Sequence, residues 1–225
     1  MTNHIRSYVL RSGRMSEAQK RSYRELSRYI IPFNQDNQEK ADFEQAFGNQ
    51  NPLTVEIGFG MGTTTALIAE KNPLNNYLGI EVYKPGIGRL LWEIERRRLN
   101  NIRIVEYDAV EVVEKMLREE AVSAFHIFFP DPWPKKRHHK RRLVKRPFTD
   151  LLASRLKPGA YIYLATDWAD YGGWALRELE ATPGLRNVYP GFAESQIWRP
   201  ETGFERKGLD KSHEIKELYF IKTDN

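Results

Sequence analysis

The stretch LTVEIGFGMG, residues 53–62, runs a five-residue β-strand pattern directly into three glycines at alternate positions. Glycines at such a point permit a tight turn, let a ligand approach the backbone and present amide N–H groups at the start of a helix. A dinucleotide-binding turn would have the spacing G-x-G-x-x-G. Here the spacing is G-x-G-x-G, and Glu56 stands two residues before the first glycine. An acid beside the turn favours a cationic or zwitterionic ligand over a pyrophosphate.

Strand-like and helix-like segments alternate from residue 53 onward, which indicates a parallel sheet with helices on its faces. The sequence therefore predicts an α/β three-layer sandwich around a seven-stranded, mostly parallel sheet, with an antiparallel last strand. Helical patterns cover 63–71, 84–99, the segment from Asp108 through 117, and 171–179. The predicted strands are 53–57, 77–81, 102–107, 124–129, 161–165, 186–189 and 217–222, and the last two are expected to pair antiparallel.

The chain contains no repeat or linker-like segment, so we expect one domain over residues 1–225 with a basic N-terminal extension at about 1–32. Within this extension the pattern predicts a short amphipathic helix that Ser16 caps and Pro32 ends. The composition excludes disulfides, thiolate zinc sites and cysteine nucleophiles, because no cysteine is present. No signal peptide and no apolar run of about 18 residues is found, so the expected location is the cytoplasm, away from membranes.

The positive charge is concentrated in two segments. Residues 1–32 carry seven Lys and Arg against two acids, and residues 135–146 carry eight against none. Since the whole chain has a formal charge of +5, the remainder carries −8. Such a distribution indicates a localised site for a polyanion, because eight neighbouring bases repel one another unless phosphates neutralise them. The alternative is a solvated surface loop without a specific partner.

Two further acids follow the next strands. Glu81 ends the second strand, where a carboxylate can accept ribose hydroxyls, and Asp108 follows the third, where it can meet an adenine edge. Together with Glu56 and the turn glycines Gly58, Gly60 and Gly62, they indicate a class I methyltransferase that binds S-adenosylmethionine. The alternative is that each acid only caps the helix that follows it.

The fourth strand ends in Pro130-Asp131-Pro132-Trp133-Pro134, so Asp131 is expected to face the same cleft. Several amino-group methyltransferases have an Asp/Asn-Pro-Pro-aromatic motif at this place, and here the aromatic comes one position earlier. In such a motif the prolines aim a polar group at the target nitrogen while the aromatic ring stacks on the base. Alternatively, the prolines stiffen a turn and Trp133 packs in the core.

These segments resemble the bacterial tRNA (guanine-N7-)-methyltransferases. The matching stretches, in order, are VEIGFGMG, GIEV, DA at 108–109, FFPDPWPKKRHHKRR, ATDW and TGFERKG. The resemblance implies that Glu56, Glu81, Asp108 and Asp131 line the S-adenosylmethionine site and that Asp131 is catalytic. It also implies guanosine binding by Lys135, Asp167 and the segment Thr202, Gly203, Phe204 and Glu205, and RNA contacts by Arg137, His138, His139, Lys140, Arg141 and Arg142. Gly203 stands where relatives often carry a longer polar side chain.

Guanine N7 carries a lone pair and no proton, so its methylation requires alignment and charge stabilisation without prior deprotonation. The expected substrate is the guanosine of the tRNA variable loop, extruded into the pocket, since N7 in a paired helix is inaccessible to side chains. The resemblance implies no DNA, no obligatory protein partner and no metal, and it is compatible with a homodimer. Three alternatives remain open at this point: methylation of an exocyclic nitrogen, RNA binding without catalysis, and a small-molecule substrate.

Overall fold

The computed structural model describes residues 5–9, 13–36, 39–200 and 214–224. Its strands form one sheet in the spatial order β3-β2-β1-β4-β5-β7-β6. Neighbouring strands are parallel from β3 to β5, whereas β7 runs antiparallel to both β5 and β6. This confirms the predicted sheet and its antiparallel last strand. The strands are β1 Leu53–Ile57, β2 Asn76–Glu81, β3 Ile102–Glu106, β4 Val122–Phe128, β5 Leu156–Thr166, β6 Leu185–Asn187 and β7 Lys216–Lys222.

Helices cover both faces of the sheet, which confirms the three-layer sandwich. Two buried hydrophobic clusters fill the spaces between the layers: one includes side chains of α3 and α4, and the other includes side chains of α5, α6 and α7. Because both faces are covered, the central strand β1 is shielded from solvent on both sides, and all five of its residues are buried. The helices are α1 Glu17–Glu25, α2 Phe43–Phe47, α3 Thr63–Lys71, α4 Lys84–Arg97, α5 Ala109–Lys115, α6 Phe148–Arg155 and α7 Ala169–Glu180.

The carboxyl ends of the parallel strands lie at one edge of the sheet. Ile57 of β1 pairs with Ile80 of β2, and Phe128 of β4 pairs with Ala165 of β5, so the carboxyl ends of these parallel strands are aligned. The chain order reverses between β1 and β4, which creates a crevice outside their carboxyl ends. In open α/β sheets this switch point is where ligands bind.

The N-terminal helix α1 begins as predicted and ends earlier. Ser16 and Gln19 form a capping box, with the Ser16 N–H 2.7 Å from Gln19 Oε1. The helix ends at Glu25, and a 3-10 turn at Ser27–Tyr29 follows, so the predicted end at Pro32 is wrong. The chain leaves the helical conformation there because Ile30 forms an isolated parallel bridge to Ile104 of β3. Helix α1 packs against α4, where Arg21 Nη2 lies 2.6 Å from Glu95 Oε2.

Three elements were not predicted. The short helices α2 and α6 were missed, and residues 136–141, expected as a loop, form a 3-10 helix that we call the basic helix. None of the helices within the described residues is long and apolar enough to cross a bilayer.

The docking of α1 on α4 can be tested with two helical glycines. A Cβ at Gly88 of α4 would lie 3.0 Å from the Gln19 carbonyl oxygen, whereas a Cβ at Gly173 of α7 would lie at an ordinary 3.6 Å from the Arg177 side chain. We expect Gly173→Ala to raise the free energy of unfolding by up to about 1 kcal/mol, the gain in helix propensity. Gly88→Ala should not raise the free energy of unfolding, because the added methyl group is overpacked against α1, at a cost of about 1–3 kcal/mol. Urea unfolding checks both, and equal stabilisation by the two substitutions would show that α1 does not press on Gly88.

Candidate active site

The turn after β1 contains three glycines whose backbone conformation would be strained in a residue with a side chain. Gly58, Gly60 and Gly62 have φ values of 74°, 57° and 68°, in the left-handed region that L-residues rarely adopt. At Gly58 an added Cβ would meet no atom within 4 Å, so the backbone there is open to a ligand. A Cβ at Gly86 of α4 would overlap the Gly60 carbonyl oxygen, so the turn also lies directly against the start of α4.

The Glu81 carboxylate joins the first two strand ends. Its Oε2 accepts the Gly60 N–H at 2.8 Å, and its Oε1 accepts the N–H groups of Val82 at 2.8 Å and Tyr83 at 3.1 Å. A carboxylate offers about four acceptor positions, and three of them are therefore filled by the backbone. In this arrangement Glu81 can accept one ribose hydroxyl, whereas the sequence suggested that it accepts both.

Glu56 lies beneath the turn and is almost fully buried. Burial raises the pKa of Glu56 from an ordinary 4.5 to about 7, the Thr65 hydroxyl partly opposes this rise, and the Glu81 carboxylate adds to it. The buried Glu56 and the half-buried Glu81 repel each other beside an open glycine turn, which favours a cationic ligand. The aminoacyl and sulfonium groups of S-adenosylmethionine fit this donor set.

Asp108 has the capping role that the sequence left as an alternative. It is the N-cap of α5, and its Oδ1 accepts the Val110 N–H at 2.8 Å and the Glu111 N–H at 3.4 Å. The residue is buried and follows β3, so it lies at the carboxyl edge together with Glu81.

Asp131 lies on the other side of the switch point, in a strained turn. Phe129 and Trp133 flank it with φ values of 51° and 47°, which are costly for residues with a Cβ. The Phe129 N–H donates to the Ala165 carbonyl at 2.7 Å, so the turn is fixed to β5. Burial raises the pKa of Glu81, the backbone N–H groups oppose this, and the Asp131 charge raises it further. The Asp131 carboxylate therefore acts on the same site as Glu81.

Arg142 stabilises this turn. Its side chain is 1% exposed, its Nε donates to the Pro132 carbonyl at 3.0 Å, and its Nη2 pairs with Asp170 of α7. The guanidinium also lies over the rings of Tyr171 and Trp174, at 5.4 and 5.0 Å from their centroids. An RNA phosphate cannot reach it there, so the expected RNA contact from Arg142 is replaced by an internal role.

Side chains three residues apart lie on the same side of the basic helix and its C-terminal end, as the 3-10 geometry requires. His138 and Arg141 both face Trp133: the His138 ring meets the indole edge to face at 5.8 Å, and the Arg141 guanidinium lies 5.0 Å from its centroid. His139 and Arg142 both face α7, where His139 contacts Trp174. Arg137 and Lys140 form the third, exposed pair. The expected row of six RNA contacts is therefore divided among three faces.

Trp133 connects two parts of the chain. It is half-buried outside the core clusters, and its Nε1 donates to the Ser7 carbonyl at 2.8 Å. Since Arg141 covers its face and Ser7 binds its edge, the indole is held by protein contacts in this structure.

The remaining predicted guanosine contacts are only partly described. Asp167 follows β5 at the same carboxyl edge and is half-buried, and Lys135 is exposed beside the basic helix. Thr202, Gly203, Phe204 and Glu205 lie outside the described residues. Among the residues the structure describes, no cluster of three His, Asp or Glu side chains could hold a metal ion.

A buried ion pair fixes the chain on both sides of residues 201–213, and sequence reasoning missed it. Arg199 pairs with Glu217 of β7, and Glu217 also accepts the Tyr163 hydroxyl. Trp198 stacks on His126 with ring centroids 4.9 Å apart. The available signal was Glu217 itself, an acid within an otherwise apolar strand pattern that needs a cationic partner when buried.

The chain was compared with known proteins. A family model described as "Putative methyltransferase" matches residues 50–218. A tRNA (guanine-N(7)-)-methyltransferase of Nitrosospira multiformis is 48% identical over 219 residues, 97% of this chain and 94% of the relative. A protein of the same name from Treponema pallidum is 47% identical over 97% of this chain and 96% of its own length.

Solved structures resemble the fold at low sequence identity. The 16S rRNA methyltransferase KamB superposes with a TM-score of 0.60 at 16% identity, covering 83% of this chain and 96% of that one. The aminoglycoside resistance methyltransferase NpmB1 gives 0.57 at 14% identity, covering 82% and 95%. These neighbours support the class I methyltransferase fold alone.

The buried Glu56 carboxyl makes a prediction about pH. Because its pKa is about 7 in the folded chain and 4.5 ordinarily, the folded state binds the extra proton between these values. The contribution of this group to the free energy of unfolding is therefore highest below about pH 4.5, and it is lost as pH rises through 7. The loss amounts to about 1.4 kcal/mol per unit of pKa difference. Glu56→Gln should remove it, because glutamine cannot ionise. Urea unfolding of both proteins at pH 5.5 and 8 measures the difference.

The same carboxyl should ionise when it meets a cationic group, such as the ammonium group of S-adenosylhomocysteine. Affinity of the wild-type protein for S-adenosylhomocysteine is therefore expected to rise between pH 6 and 8, whereas Glu56→Gln should bind weakly and without this dependence. Calorimetric titration checks it. Parallel pH profiles of affinity for the two proteins would place Glu56 outside the ligand site.

The internal role of Arg142 predicts a loss of stability. Arg142→Ala removes the packing against two aromatic rings and leaves the Pro132 carbonyl without its donor, at a cost of about 2–4 kcal/mol. The matched control is Arg137→Ala, an exposed arginine of the same basic helix, which should change stability by less than about 0.5 kcal/mol. Similar unfolding midpoints for the two variants would contradict the assignment.

Proposed function

The chain belongs to the tRNA (guanine-N7-)-methyltransferase family, and on that basis we propose that it methylates N7 of a variable-loop guanosine in tRNA, with Asp131 at the reacting centre. The observation that carries this proposal is the 48% identity over 97% of the chain to a protein of that name. The site supports it, since acids lie at or just beyond the carboxyl ends of β1 to β5 around one crevice.

S-adenosylmethionine supplies the electrophilic methyl group. Glu56 and the glycine turn hold its zwitterionic aminoacyl end, with Glu56 toward the ammonium group, Glu81 accepts a ribose hydroxyl, and the β3 end near Asp108 receives the adenine. These residues bind and orient the cofactor, which converts an encounter of two molecules into a fixed approach.

Asp131 acts on the guanine side of the crevice. N7 has an in-plane lone pair and carries no proton, so no base is needed to remove one. Carboxylates that accept the guanine N1–H and N2–H groups fix the ring and stabilise the positive charge that develops on it. Asp131 and Asp167 follow adjacent strands β4 and β5 and are suited to this task. The strained turn that carries Asp131 is consistent with a site in which position matters more than backbone stability.

The RNA is held by the exposed cations Lys135, Lys136, Arg137 and Lys140. Partial desolvation and the neighbouring cations, Arg137 first among them, lower the pKa of His138, so this histidine adds little charge near neutral pH. Phosphate contacts of this kind position the tRNA without reading its sequence. We place the reaction in the cytoplasm, with tRNA as partner, no membrane or DNA, and no obligatory protein subunit.

The reaction is tested by incubating the protein with methyl-labelled S-adenosylmethionine and unmodified tRNA and identifying the labelled nucleoside after digestion. We expect 7-methylguanosine. Asp131→Ala should lower turnover by at least about 100-fold because alignment and charge stabilisation are lost, while the Kd for tRNA stays nearly constant. Label in a nucleoside with a methylated amino group would contradict the assignment of the target atom.

The division of the basic helix predicts different effects on RNA binding. Arg137→Ala and Lys140→Ala should each weaken tRNA binding and reduce the slope of log K against log salt by about one. His139→Ala, on the face toward α7, is the control and should leave the slope unchanged. Filter binding between 50 and 200 mM salt, roughly the range in which such slopes are measured, distinguishes the outcomes. A reduced slope for His139→Ala would show that the three faces do not act separately.

A further inference from the structure

Residues 5–9 lie beside the turn that carries Asp131, although their sequence gives no motif. The Ser7 carbonyl accepts the Trp133 indole N–H at 2.8 Å, over a separation of 126 residues. Ser7 and Tyr8 are half-buried, whereas Ile5, Arg6 and Val9 are exposed. The segment is therefore fixed to the turn that carries Asp131, and it presents one residue inward next to the contact.

That inward residue is Tyr8. Burial raises the pKa of the Tyr8 hydroxyl, the Asp108 carboxylate adds to this, Arg6 opposes it, and Tyr107 and Glu111 add smaller increments. Asp108 and Glu111 belong to the beginning of α5, directly after β3. The half-buried Tyr8 therefore interacts with the charge at this strand end, where the proposed function places the adenine.

The chain that follows is fixed to the second strand end. A Cβ at Gly13 would lie 2.9 Å from Cε2 of Tyr83, so this glycine rests on the tyrosine ring. Gln19 Nε2 donates to the Pro85 carbonyl at 3.2 Å, at the start of α4. Tyr23 of α1 also donates its hydroxyl to Glu106, the last residue of β3. The described N-terminal residues therefore contact the ends of β2, β3 and β4, which surround the crevice.

We propose that Ser7 and Tyr8 form part of the wall of the S-adenosylmethionine pocket, in which Tyr8 contacts the adenosine and Trp133 positions it through Ser7. The aromatic ring of Tyr8 gives the adenine an apolar contact surface, and the Trp133 N–H holds the segment in place. This inference rests on the proposed function for the location of the adenosine. Trp133 acts through Ser7 and is a positioning residue in this respect.

Calorimetric titration with S-adenosylhomocysteine tests the contact. Tyr8→Ala should raise the Kd by about tenfold or more, the loss typical of a single aromatic contact to a base, and Tyr8→Phe should stay within about threefold of wild type because the ring is kept. Val9→Ala, at the exposed neighbouring residue, is the control and should bind as wild type does. An unchanged Kd for Tyr8→Ala, or an equal loss for Val9→Ala, would overturn the proposal.

The positioning role of Trp133 has its own measurement. Trp133→Phe keeps a ring and loses the N–H donor, so S-adenosylhomocysteine should dissociate several-fold faster. Trypsin cleavage after the exposed Arg6 should slow when the ligand saturates the wild-type protein, and it should slow less in Trp133→Phe. Ligand protection that is the same in both proteins would overturn the role of the Trp133–Ser7 hydrogen bond.

These results separate the inference from the proposed function. If the wild-type protein does not bind S-adenosylhomocysteine at all, the proposed cofactor site fails, and the wall inferred for it fails with it. If the wild type binds and Tyr8→Ala binds equally well, only the wall is wrong. Unfolding midpoints of the variants show whether a lost affinity reflects the contact itself or a loss of folding.

Discussion

The contact between the Glu81 carboxylate and the Gly60 N–H holds the glycine turn against the second strand end. A turn of three left-handed glycines has many conformations available, and without a fixed acceptor it would sample them at a considerable entropic cost. Glu81 supplies this acceptor and also binds the amides of Val82 and Tyr83 at the start of α4. One carboxylate thus sets the distance between the two turns that are to receive the cofactor.

Arg142 performs the corresponding function on the other side of the switch point. Its buried guanidinium connects the Pro132 carbonyl to Asp170 of α7. The strained backbone around Asp131 persists because surrounding contacts over-determine it, and the hydrogen bond from Arg142 to Pro132 is one of them. The two halves of the crevice are therefore each held by a charged side chain that hydrogen-bonds to the backbone of a turn.

Local patterns predicted the sheet and the position of its acids, because each depends on residues close in sequence. The alternation of strands and helices gave the parallel sheet, and the capping role of Ser16 followed from its own short-range partners. Burial of Arg142 could not be predicted from a run of bases, since its partner Asp170 is 28 residues away. Glu81 was assigned to a ligand because its bonds to Gly60, 21 residues away, are invisible in sequence.

The three-residue period of the basic helix also limits how its length can change. Each residue of a 3-10 helix advances the side chains by about one third of a turn. Inserting or deleting a single residue between Trp133 and Arg142 would exchange the faces, turning the exposed cations toward the indole or toward α7. A change by three residues would restore the faces but move Arg142 by about 6 Å along the helix axis, away from Pro132. The spacing of this segment is therefore constrained more strictly than the identity of its exposed residues.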